Sequence, residues 1–406
     1  VPSAPIAVKS TSAYAFNPHV EDLVDRTMRE IATLRGWVPV PAVRVAIAQD
    51  HELMSALLAD MQAQMTPVLQ AAQTDFLSAF GLVPPDFDLG RDVLNRFARD
   101  IAGVYCVSCR RVLLAYPVQN RDLRPTLRHE LVHAFQDSRY GLAERTRWQN
   151  DRGDYIAATH ALAEGEATCI ALALEDPKRR GCLDASNTTE SEQSSQFLSG
   201  VPQLVRDMLV APYVEGLQYV RRLLARGGWG AVEAAWTGHL GATRQLLRDV
   251  PSQPQQLLPL ALPGVIGKCE LQLVDVVGEQ QFRYLLSSGT ATLEPILASI
   301  EGDRMGLWRC SDQTVAMIRV RLNAASAAEE LALRLIGALG LPDPWQNACC
   351  AAFGARTVGL LWRGHDIAIV SVLGRHGHSR GTGVDNCPMV GAIMNHASGL
   401  PFEPED

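Results

Sequence analysis

Thr126-Leu127-Arg128-His129-Glu130-Leu131-Val132-His133-Ala134-Phe135-Gln136-Asp137 is the stretch on which the reading of this chain turns. Its apolar residues Leu127, Leu131, Ala134 and Phe135 recur at helical spacing and predict one buried stripe, with Pro125 near the start of the helix. His129 and His133 lie four residues apart, one turn along a single face, where two imidazoles can grip one ion. Glu130 is one residue round, towards the open side of that ion, where a carboxylate can take a proton from an activated water. In a chain of this length with ten histidines, HExxH arises by accident roughly once in 80 chains. The helical context sets this one apart from a pair of ordinary surface histidines.

A catalytic ion of this kind takes three protein ligands and keeps one position open. The third ligand expected here is Glu164, in a helical stretch over 154–169. Small residues Ala157, Ala161, Gly165 and Ala167 would let that helix approach the first one closely. Two alternatives stay open. His160, one turn earlier on the same side, is a candidate ligand or partner of one; Glu166 lies about 200° round the helix from Glu164, so the two cannot both face the ion. Asp137 is a candidate to accept a hydrogen bond from an imidazole and fix its tautomer.

Upstream, an extended arm over 1–18 precedes helices expected over 19–34 and 51–65, a strand over 43–48 and a further helix to Phe80. Residues 101–116 read as a β-hairpin closed by Pro117, with Cys106 and Cys109 in its turn. One CxxC without a second pair favours a local disulfide, or two separately paired thiols, over a four-cysteine metal site. Downstream, 183–196 reads as a polar loop, 202–247 as helical with a turn at Gly227-Gly228, and 251–263 as a Pro-rich connection. Helices are then expected over 268–299, followed by strands over 305–310, 315–322, 357–362 and 367–373 with a helix over 324–339, a ββαββ module. The final stretch, 376–406, is rich in Gly, His and Pro and reads as an irregular tail, where His376 and His378 would collect metal only incidentally.

Composition bounds the rest. With 406 residues, 47% of them hydrophobic and 20% charged, and a mean hydropathy of zero, the chain has the balance of a folded globular protein. No apolar run approaches the ~18 residues of a membrane span. A formal charge of −7, with arginines spread along the sequence, argues against nucleic acid as a partner. The length predicts two domains. Nine cysteines predict mostly disulfides with at least one thiol left over, hence an oxidising compartment. The start Val-Pro-Ser-Ala-Pro, without Met or a signal core, is expected of an exported protein, secreted, periplasmic or on the cell surface, whose signal peptide has been removed.

His129-Glu130-Leu131-Val132-His133 followed by Glu164-Gly165-Glu166-Ala167 resembles the gluzincin zinc peptidases, in particular the peptidase-MA-like group, where HExxH is followed on a second helix by Glu-Gly-x-Ala. Ala211-Pro212-Tyr213-Val214-Glu215-Gly216, the Gly227-Gly228 turn and Glu301-Gly302-Asp303-Arg304 are similar to segments of a group of exported bacterial and archaeal proteins. The motif resemblance covers about residues 100–235. It implies zinc (Zn2+) on His129, His133 and Glu164, Glu130 as general base, and hydrolysis of a peptide or protein substrate. It also implies an α+β fold, with a mostly helical zincin-like metallopeptidase domain over 19–265 that includes a small N-terminal β-sheet, and a C-terminal α+β module over 266–375. The sequence departs from thermolysin-type relatives in having no clear downstream His or Asp motif for transition-state support, which leaves Tyr213 and His239 as candidate donors. The rival reading is a catalytically inactive zincin-fold binding or scaffold protein, against which the intact general base argues.

Overall fold

The computed structural model of the protein describes residues 18–38, 43–94, 101–116, 120–175, 181–184, 200–248, 258–286, 293–374 and 386–397. The expected arm, apart from its last residue, most of the polar loop, and His376 and His378 lie outside them.

Helix α1 (Pro18–Arg35) is followed by strand β1 (Arg44–Ala48) and helices α2 (Asp50–Gln64) and α3 (Pro67–Ala79). The two helices cannot fuse, because Pro67 has no N–H to give; Thr66 caps α3 instead, its hydroxyl accepting from the Leu69 N–H. Strands β2 (Gly103–Cys106) and β3 (Arg111–Ala115) form the expected antiparallel hairpin. β1 joins β3 in parallel, so the order is β1-β3-β2 with β2 at an edge. Helix α4 (Asn120–Tyr140) carries HExxH. Pro125 lies inside α4 and not near its start, because the helix begins with a nearly all-polar turn that an apolar stripe does not register. Leu127, Leu131 and Phe135 are at most 2% exposed and pack with Met28 and Ile31 of α1 and Val112 and Leu114 of β3. Each contributes roughly 1.5–3 kcal/mol by leaving water.

Past the short helix α5 (Leu142–Arg145), α6 (Gly153–Glu175) and α7 (Gln203–Ala234) pack against one another. α7 breaks at the expected turn, with Gly228 at φ +62°. The backbones of α6 and α7 touch: a Cβ on Gly165 would collide with the Gly216 carbonyl carbon, and one on Gly216 with the Ala161 carbonyl oxygen. The small residues of α6 thus divide between two neighbours. Ala161 and Gly165 meet α7, while Ala167 lies with Leu131 and Phe135 of α4.

Helix α8 (Thr243–Leu247) leads into the second sheet, built from β4 (Leu258–Pro259), β5 (Glu270–Asp275), β6 (Ile300–Arg309), β7 (Gln313–Leu322), β8 (Ala348–Phe353), β9 (Arg356–Arg363) and β10 (Asp366–Gly374). Its order is β4-β6-β7-β10-β9-β8, with β5 also on β6, and every pairing but β4–β6 is antiparallel. The expected run of helices over 268–299 is corrected: β5 occupies its start, followed by α9 (Gly278–Leu285) and α10 (Glu294–Ala298). A bulge between Leu271 and Leu273 breaks the alternation that would have marked the strand. After α11 (Ala325–Leu339) comes β8, Ala-Cys-Cys-Ala-Ala-Phe, in which alanine carries no strand signal. From β6 onward the order is therefore ββαβββ, one strand more than expected. Nor is the C-terminal stretch irregular throughout, since α12 (Cys387–Ala397) lays Val390, Ile393 and Met394 over the sheet face of Val370 and Val372. α3 lies on the other face, Phe76 and Phe80 packing with Leu331, Leu335 and Ile369. A helix from the N-terminal part thus belongs to the core of the C-terminal sheet.

Eight of the nine cysteines pair, as Cys106–Cys109, Cys169–Cys182, Cys269–Cys310 and Cys350–Cys387, and Cys349 remains a buried thiol. The CxxC is therefore a local disulfide, and the set fits an oxidising compartment. No described helix is long and apolar enough to cross a membrane.

Buried carboxylates set the start of α6 into this sheet. Asp275 accepts from the Gly153 N–H (2.8 Å) and its neighbour Val276 N–H (2.9 Å), Asp303 from the N–H groups of Val277 (2.6 Å) and Gly278 (3.2 Å), and Asp154 from the N–H and hydroxyl of Thr243. Burial, outweighing these hydrogen bonds, pushes Asp275 and Asp303 up to about 7 and Asp154 up to about 6. An unfolded Asp titrates near ~3.9, so the folded protein holds protons that the unfolded one has already released. The stability tied to these groups is full below about pH 4 and is lost as pH rises through about 6 to 7. Asp275→Asn keeps an oxygen for both N–H groups and removes the titration. Its urea midpoint relative to the parent protein is expected to rise between about pH 5 and about pH 8; a difference independent of pH would mean that Asp275 does not titrate there.

Candidate metal centre

α4 and α6 bring His129, His133 and Glu164 to one point. His129 Nε2 and Glu164 Oε2 are 2.9 Å apart, the two Nε2 atoms 3.2 Å, and His133 Nε2 and Glu164 Oε2 3.4 Å. Among the described residues, these three form the cluster that could hold a metal ion. Ligands at ~2.0–2.1 Å from a tetrahedral ion stand ~3.3 Å from one another, close to all three edges of this triangle.

His133 is held from behind. Its Nδ1 lies 2.8 Å from Gln136 Oε1, and the Gln136 amide group donates to the Ala163 carbonyl (3.1 Å) and to Glu166 Oε2 (3.0 Å). Both acceptors demand N–H, so the amide oxygen must face His133. Nδ1 then carries the proton, and the Nε2 lone pair is left for an ion. Glu166 in turn takes Arg35 Nε (2.7 Å) and the Trp236 indole N–H (2.8 Å). Burial opposes charge on Glu164, but His133 and His129 beside it more than reverse this and hold its carboxyl far below the usual range. Burial likewise lowers His133, and Glu164 outweighs it, pushing the imidazole up to about 9. The triangle is therefore built to share positive charge.

Glu130 faces the same space from the β2 side. Its Oε2 accepts from the Tyr105 N–H at 2.7 Å, and burial is the main cause that raises its pKa. Triangle, Glu130, His160 and Tyr213 line one cavity of about 530 Å3, a volume suited to a bound ligand. No family model, no curated protein and no solved structure matches the sequence or fold. What can be said of the centre therefore comes from its own geometry.

The other sequence candidates fall as follows. Glu166 is fully buried on the far side of α6 and lies outside the triangle. His160 lines the cavity, also outside the triangle, and burial lowers its pKa, which keeps it neutral. Asp137 does not serve an imidazole: it accepts from the Tyr105 hydroxyl (3.0 Å) and the Ala143 N–H (3.2 Å). At 100° per residue Asp137 sits nearer the line of Glu130 than that of His133, which turns it towards β2. The Tyr213 ring stacks on His129, centroids 6.2 Å apart; the side chain of His239 lies outside the described residues.

Three contributors escaped the sequence reading. Gln136 has a legible signal, since it stands three residues after His133. The Tyr105 N–H has none, being a backbone donor on an edge strand. Asp60 of α2 lines the cavity and accepts from the N–H groups of Val107 (3.1 Å) and Ser108 (2.6 Å), fixing the hairpin turn. Gln136→Met is nearly isosteric and leaves His133 without its acceptor. Affinity for a divalent ion, read by competition with a chelator, is expected to fall about 10- to 100-fold with the fold retained; unchanged affinity would show that Gln136 does not orient the imidazole.

Proposed function

We propose that this protein is a zinc-dependent metallopeptidase of the gluzincin kind, with His129, His133 and Glu164 as ligands and Glu130 as general base. The observation that carries the reading is the closed triangle of donor atoms with the half-buried Glu130 carboxylate in the same cavity. Two imidazoles and one carboxylate suit zinc and leave one tetrahedral position open. Bound there, zinc would supply Lewis acidity, polarising a carbonyl and making a water acidic near neutral pH.

The protein's own groups do the rest. Glu130, aimed by the Tyr105 N–H, takes the proton from the attacking water and returns it to the leaving amine. We assign the oxyanion donor to the Tyr213 hydroxyl, because the ring lies against His129 and lines the cavity. β2 is an edge strand with Gly103, Val104 and Tyr105 on the cavity wall, so an extended peptide can add to its outer side and lie across the triangle. That supports a peptide or protein substrate. The four disulfides support an exported location.

Mass spectrometry of untagged protein is expected to find about one zinc per molecule, and none in the His129→Ala/His133→Ala variant. Glu130→Gln is expected to keep zinc and lose peptide hydrolysis by about 10²- to 10⁴-fold. Full hydrolysis by zinc-loaded Glu130→Gln would rule out the assignment. Tyr213→Phe is expected to lower kcat about 10²-fold with little change in KM; an unchanged kcat would remove Tyr213 from the oxyanion role.

A further inference from the structure

A second cavity, of about 420 Å3, lies between the turn after α3 and the tip of the β8–β9 hairpin, and shares no lining residue with the cavity at the triangle. Its walls are largely apolar, with Leu82, Pro84, Phe353 and Leu373 among them. Two polar side chains line it. Ser78 is 6% exposed and its Oγ has no hydrogen-bond partner among the described residues; the buried Nε of Arg356 has none either. Buried donors without acceptors are disfavoured, and two around one void mark a place where an acceptor belongs.

The Arg356 guanidinium is held in place before any ligand arrives. It lies over the Phe353 ring, 4.9 Å from the centroid, and against Gly81, where a Cβ would collide with it and where φ is +71°. No acidic group among the described residues acts on it; burial alone does, lowering its pKa. Among the described residues the cavity therefore contains a cation without a counter-charge, a spare hydroxyl and an apolar remainder.

We propose that this cavity binds a carboxylate carried on a compact apolar body. The guanidinium pairs the carboxylate, the Ser78 hydroxyl donates to it, and Leu82, Pro84, Phe353 and Leu373 enclose the body. The volume suits an aryl carboxylic acid or the last residue or two of a peptide. Phosphate has the charge and lacks the body.

Calorimetric titration of the 406-residue chain tests this with benzoate, benzamide, inorganic phosphate and N-acetylphenylalanine. Saturable one-to-one binding of benzoate is expected, at least tenfold weaker in Arg356→Gln and several-fold weaker in Ser78→Ala, with benzamide and phosphate failing to bind. Tighter binding of N-acetylphenylalanine than of benzoate supports the proposal with the C-terminal residue of a peptide as the source of the carboxylate; the reverse order supports it with a free small acid. Binding that does not saturate, equal binding by Arg356→Gln, or phosphate matching benzoate overturns it. Arg356→Lys keeps the charge and loses the fork, so it decides the matter if Arg356→Gln does not fold: benzoate affinity is expected to fall at least threefold, and no change overturns the proposal.

Discussion

Glu166 is sealed from water, and its partner Arg35 nearly so, with 0% and 2% of their side chains exposed and Nε 2.7 Å from Oε1. The guanidinium lies over Trp37 and Trp229, 4.4 and 4.6 Å from the ring centroids, while Glu166 also receives the Trp236 indole and the Gln136 amide. Removing one member of such a pair typically costs about 3–5 kcal/mol, because the other stays charged in a medium that cannot solvate it. These partners come from α1 and the turn after it, from α4, α6 and α7, and from the segment after α7. None of these can shift without opening the pair, and Gln136 passes that constraint directly to His133.

The same helix holds Glu164 in position by two further grips. At its start, Gly153 and Asp154 are set among Asp275, Thr243 and Gly278 of the sheet side, where Gly278 has no room for a Cβ against Asp154. Midway, Gly165 meets Gly216 backbone to backbone. Glu164 and Glu166 stand two residues apart and do opposite work, since 200° of rotation separates them. One carboxylate faces two imidazoles; the other is buried as an anchor.

What the sequence disclosed was local. Apolar periodicity read α1 and α4 because each buries a stripe of its own, and the hairpin was legible from its turn. Non-local facts were out of reach. Nothing in residues 67–80 says that Phe76 and Phe80 enter the core of a sheet formed hundreds of residues later, and neither the bulged β5 nor the alanine-rich β8 carries the alternation of a strand. At the candidate site, spacing alone placed His129 and His133 on one face, with Glu130 one residue round from it. Glu164 was the third ligand expected there; what no local pattern reports is the partner that holds Glu166 on the other side of the helix, Arg35, 131 residues away.

The wall opposite the triangle shows how so short a strand can be positioned with accuracy. Glu130 and Asp137 are seven residues apart, close to two turns, so they lie nearly above one another on α4. Tyr105 bridges them, its N–H on Glu130 and its hydroxyl on Asp137. One residue of β2 thereby measures two turns of the helix. Its neighbour Cys106 closes the turn onto Cys109, and Asp60 ties the two residues between those cysteines to α2. An edge strand by itself has a free side and is easily displaced. Pinned to α4 at two heights and to α2 at its turn, β2 becomes a fixed wall, and the direction of the Glu130 carboxylate is set by a backbone N–H, a group that cannot change rotamer or protonation state.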